Sequence, residues 1–188
     1  MANINTTLKE LKVKMDDAFS KNAEASRQEY IKSLPAGSPL PAENRIYSDD
    51  HLKAFRDEAR QIYGNVCDVL RKEREKVSEA KTEAPTDEAV RAISLMKLMD
   101  VSADDVTNML GKYGDNYSCY RAITSIAKDA GLKNDFGVHP YDKAADGIDY
   151  VASKAAAAFS PTAYEKEGVR TVSTIGFNSM VDNEFPAE

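Results

Sequence analysis

Several residue groups have the right types for chemistry, and each falls short on spacing. Asp142, Asp146 and Gly147 match positions one, five and six of an EF-hand calcium loop, but Ala144 and Ser153 stand where two further oxygen ligands are needed. Asp135-Phe136-Gly137 spells a kinase metal-binding triplet without the glycine-rich and catalytic loops that give it meaning, and reads as a turn. Gly111-Lys112-Tyr113-Gly114 puts a lysine among glycines but lacks the spacing and the following Ser/Thr of a phosphate loop; it reads as a helix stop. His51 and His139 have no second metal ligand close in sequence. Cys67 and Cys119 have neither CxxC spacing nor a nucleophile's context, so both are expected to be reduced packing residues. No catalytic residue, metal site or cofactor site is therefore assigned, and a non-enzyme is expected.

One surface is locally distinctive. Tyr113, Tyr117 and Tyr120 lie beside Lys112 and Arg121, and Tyr113, Tyr117 and Arg121 could stack on bases or on a partner's side chains. The plainer reading places Tyr117 and Tyr120, three positions apart, in a helical core with Tyr113 at its edge. Charge favours the plainer one. The chain carries a net −6, spread as +1 over residues 1–82 and −7 over residues 83–188, so the second half gives no electrostatic attraction to phosphate. Nucleic acid is disfavoured as a partner, and so is an anionic membrane surface.

The elements that must position these residues read as helices, giving an all-α chain. The strongest periodic signal runs from Ser48 to Ala80, where Leu52, Phe55, Ala59, Ile62, Val66 and Val69 alternate in steps of three and four. That spacing makes one apolar seam and requires a partner helix. Leu8, Leu11 and Met15 supply it on a first helix from Asn3 to about Leu34, with Asn22 interrupting the stripe near an end expected to be solvated. Residues 33–47, with Pro35, Gly37, Pro39 and Pro41, connect the two. This connector could span about 50 Å, so its length admits a parallel or an antiparallel return; the compact antiparallel one is expected. Residues 1–82 thus form a coiled-coil-like hairpin.

Beyond Pro85 the texture shortens. Residues 85–132 read as a three-helix domain: Ala89, Ile93, Met96 and Leu98 or Met99 on the first helix; Val106, Met109 and Leu110 on the second; Tyr120, Ile123, Ile126 and Ala127 on the third. Ser102 with Asp105 suggests a capping box, and Gly131 a C-terminal stop. Residues 142–160 form an alanine-rich helix carrying Ile148, Val151, Ala155 and Phe159. Residues 161–188, rich in β-branched side chains, read as an extended tail able to dock through Val172, Ile175, Phe177 and Phe185.

A helical hairpin, a small helical domain and the run KYGDNYSCYRAITSIAKDAG together resemble small helical proteins encoded among the virion structural genes of tailed phages and prophages. Tyr117, Tyr120 and Ile123 are the positions matched to an aromatic–aliphatic helix there. The resemblance covers residues 1–132 and implies a structural, capsid-associated or scaffolding-like role without catalysis, in the virion or the host cytoplasm. The implied partner is protein: other copies of the chain, or a larger protein shell. The alternative is an intracellular adaptor or regulator whose three-helix domain binds a protein or nucleic acid. No signal peptide or membrane-length apolar segment is read in the sequence.

Overall fold

A computed structural model describes residues 4–132, 136–167 and 174–185. Among these the chain forms eight α-helices and no strand: α1 (Ile4–Ser33), α2 (Asp49–Lys81), α3 (Asp87–Met96), α4 (Ala103–Tyr113), α5 (Tyr117–Asp129), α6 (Pro140–Ala158), α7 (Pro161–Glu167) and α8 (Thr174–Glu184). They belong to two compact units, Met1–Glu73 with Gly147–Glu188, and Arg74–Asp146, so the boundaries fall within α2 and α6.

The first unit is built on α1 and α2. Leu8, Leu11, Met15 and Phe19 are buried on α1; Phe55, Ala59, Ile62 and Val66 are buried on α2, where Leu52 is half-buried. At the end of the seam the buried residue is Leu70, with Val69 half-buried. A straight helix of 3.6 residues per turn drifts off a 3.5 repeat, which moves the contact by one position. The helices run antiparallel. Glu29 meets His51 at 3.2 Å close to the connector, and Phe19 meets Phe55 further along, edge to face with centroids 5.2 Å apart. The Arg27 Nε–H donates to the Pro41 carbonyl, the Tyr47 N–H donates to Ser26 Oγ, and Tyr30 stacks on Tyr47 at 4.8 Å, so the connector is tied down at several points. Asn22 is buried and its Nδ2 donates to the Ala18 carbonyl; it is not a solvated end residue, because a bond within its own helix satisfies it.

The hairpin is completed by α7 and α8 of the same unit, helices where an extended tail was expected. Pro161 opens α7, where its missing N–H costs nothing. The α7 residue Tyr164 is fully buried against Phe19 and Phe55, with centroids at 5.5 and 5.8 Å. Phe177 and Val181, one turn apart on α8, are both buried, and Phe177 meets Phe159 edge to face at 5.2 Å. Tertiary burial of that short stripe overrides the weak helix preference of the β-branched run. Asn5 Nδ2 donates to Asp182 Oδ1 (2.9 Å) and to the Phe185 carbonyl (2.7 Å), fastening α8 to α1. Of the docking residues read from the sequence, Phe177 is core and Phe185 is half-buried. Val172 lies outside the described residues, as do the side chain of Ile175 and the whole of Asp135.

In the second unit, α3, α4 and α5 enclose a small core centred on Ile93, Met96, Val106, Cys119, Ile123 and Ala127. Local signals set each helix end. The Thr86 side chain accepts from the Ala89 N–H, and Asn116 Oδ1 accepts from the Cys119 N–H. Ser102 and Asp105 form a complete capping box. At the end of α5, Gly131 has φ 72°, and the Gly131 and Leu132 N–H groups donate to the Lys128 and Ala127 carbonyls, the paired bonds of a Schellman motif. Cys119 is the core residue on α5 where Tyr120 was expected, and burial pushes its thiol pKa up; Cys67 is exposed and does not pack.

Candidate functional site

Three of the second unit's tyrosines surround His139 rather than forming an open stacking platform. Tyr117, Tyr120 and Tyr141 have ring centroids 5.1, 4.9 and 4.9 Å from the imidazole, which is buried. His139 Nδ1 accepts the Tyr141 N–H at 3.1 Å, so Nε2 carries the proton and donates to the Gly114 carbonyl at 3.1 Å. His139 thereby caps the start of α6, just ahead of Pro140. The hydroxyls are committed as well. Tyr117 donates to Asp142 Oδ1 (2.9 Å) and Tyr120 to the Gly137 carbonyl (2.6 Å). Tyr113 donates to Glu88 Oε1, which also receives Lys112 Nζ at 2.7 Å. All three tyrosines are half-buried, whereas Arg121 is exposed.

Asp142 is paired with groups of the chain itself. Lys81 Nζ binds its Oδ1 at 2.6 Å, and that bond, with the Tyr117 hydroxyl, holds the carboxyl pKa below the usual aspartate value. Among the described residues no group of three His, Cys, Asp or Glu side chains could hold a metal ion. Lysine 112 is likewise tied to Glu88, which raises its pKa.

What the second unit does present is apolar. Leu98 and Met99, one or the other of which was expected on the α3 stripe, lie past the end of that helix and are 84% and 65% exposed; Leu95, on its last turn, is 62% exposed. Helical spacing says which residues share a face, and α3 stops at Met96 before the face reaches them. This ridge borders two grooves. The one between α3 and α4 measures about 320 Å³ and is lined by Leu95, Met96, Met99, Val101 and Met109, together with acidic residues. Its neighbour measures about 630 Å³ and reaches Ile126 on α5 and Ala130 just past its end.

The first unit holds its polar chemistry inside. Lys12 on α1 is fully buried; its Nζ donates to Asp16 Oδ1 at 2.6 Å and to the Tyr164 hydroxyl, and that hydroxyl donates to Asp16 Oδ1 at 2.5 Å. Desolvation lowers the lysine pKa and raises that of the phenol, so the phenol stays neutral. Arg56 on α2 adds a bidentate pair to Glu165 at 2.8 and 2.7 Å, next to Tyr164 on α7. Tyr164 also packs on Phe19 and Phe55, so these contacts fix α7 on the hairpin. Neither the lysine nor its partner was visible in the helical periodicity, which marks Lys12 as one more polar position.

Compared with known proteins, the chain matches no family model, no curated protein sequence and no solved structure. No helix among the described residues is long and apolar enough to cross a membrane.

Proposed function

We propose that the protein is a non-enzymatic structural or assembly protein that works through helix-mediated contacts with other proteins. The observation that carries this reading is the ridge of Leu95, Leu98 and Met99, three large apolar side chains exposed within five residues in a unit that already has its own packed core. Scattered apolar residues are ordinary on a protein surface; a contiguous group beside grooves marks a contact site. The layout resemblance suggests the setting, a capsid-associated or scaffolding-like role in a tailed-phage particle, with either further copies of the chain or a larger shell as partner. The adaptor reading through Tyr113, Tyr117 and Arg121 has less behind it, because both tyrosine hydroxyls are bonded within the chain.

Purification of the tagged chain from its native cell, followed by mass measurement of the intact complex, tests the proposal. The wild-type chain is expected to carry a protein in fixed ratio, and the Leu98→Glu/Met99→Glu variant to lose it. A chain that stays monomeric across concentration and carries nothing overturns the reading.

A further inference from the structure

Resting on that reading, we propose that the groove between α3 and α4 receives a basic amphipathic helix of a protein partner. The groove has room for one or two large aliphatic or aromatic side chains, and Met96, Met99 and Met109 give it walls that adapt to differing shapes. With no strand among the described residues, there is no sheet edge here for an extended peptide to join; an apolar trough beside a helix suits side chains spaced i, i+3 or i+4, and i+7.

Charge selects the occupant. The lining of this groove holds Asp100 and Asp105 and no cation, Asp105 being bonded to Ser102, and the neighbouring groove adds Asp129 against Lys97. A helix whose apolar stripe is flanked by lysine or arginine would place cations over these carboxylates. A second copy of this chain, docked symmetrically through the same patch, would set one acidic patch against another. The same acids repel nucleic-acid and anionic lipid phosphates.

The test uses two fluorescently labelled synthetic helical peptides with identical leucines at i, i+3, i+7 and i+10. One carries lysines flanking the stripe and the other glutamates, and each is titrated with the full-length chain. The lysine peptide is expected to bind at least about tenfold more tightly, a gap of roughly 1.4 kcal/mol. The preference should shrink as salt rises from roughly 50 to 300 mM. Leu98→Glu/Met99→Glu should abolish binding, and Asp100→Lys/Asp129→Lys should turn the preference toward the glutamate peptide; lysine at 129 also suits the C-terminal end of α5. Equal binding of both peptides, or a preference that survives the charge reversal, overturns the inference. So does undiminished binding to the Leu98→Glu/Met99→Glu chain, or concentration-dependent dimerisation that displaces the peptide. If neither peptide binds while the native complex is still lost in Leu98→Glu/Met99→Glu, the helix inference fails and the contact function stands.

Discussion

The two units place their polar and apolar groups in opposite ways. The first buries a lysine, a tyrosine and most of an aspartate at its centre, among Phe19 and Phe55. The second has an apolar core of modest size and leaves Leu95, Leu98 and Met99 outside it. A buried charge is costly unless every partner is in place, and here Asp16 and Tyr164 both bond the Lys12 ammonium. An exposed apolar ridge costs solubility, which is tolerable where a partner covers it. One unit thus holds its polar groups inside, and the other carries large apolar side chains outside its core.

The sharpest way to break this contrast is Asp16→Ala. It leaves the Lys12 ammonium buried with only a phenol beside it, and a loss of about 3–5 kcal/mol is expected in urea unfolding followed by circular dichroism. Lys12→Met, which removes the charge and keeps the length, should stay within about 1 kcal/mol of wild type or exceed it. A large loss from Lys12→Met as well would mean that the triad contributes net stability rather than register.

Ser102→Ala tests the second unit's reliance on local signals. Losing the capping box should cost about 1 kcal/mol, and the matching loss in α5 protection should be smaller than in α4 by hydrogen exchange. Gly64→Ala acts in the other direction. Gly64 sits in the middle of α2 with nothing within 4 Å of an added Cβ, so a gain of about 0.5–1 kcal/mol is expected in the same urea titration.

The smallest effect concerns acid. The Asp142 carboxyl titrates below its ordinary 3.8 because of Lys81 first and Tyr117 next. A depressed aspartate pKa stabilises the fold above the unfolded value, and that contribution is lost as pH falls through the lower folded value. Its side chain is 37% exposed, so solvent screening keeps the amount below about 1 kcal/mol. Stability curves of wild type and Asp142→Asn should therefore differ at pH 6 and converge toward the acid limit; a constant gap would point to packing instead.

Much of this architecture was legible from local pattern. The α2 stripe, the Thr86 start, the Ser102–Asp105 box and the Gly131 stop are each short-range signals, set by the geometry of one or two turns. Long-range packing was not legible. Lys12 is buried because Tyr164 reaches it from 152 positions away, and no periodicity encodes that. The same limit hid α7 and α8, whose helices rest on Tyr164, Phe177 and Val181 finding cover. His139 looked like an isolated loop histidine, although its place just before Pro140 fits a helix cap. Periodicity also placed Leu98 or Met99 on the α3 face, although α3 ends at Met96 and both side chains are exposed.

The central claim, that the Leu95–Met99 ridge is a contact surface for a basic helix, is tested most directly by amide chemical-shift mapping of the full-length chain on addition of the lysine-flanked peptide. Shifts confined to residues 95–101, 108–109 and 126–130 are the predicted result. Shifts centred on Tyr113, Tyr117 and Arg121, or none at peptide excess, would contradict it.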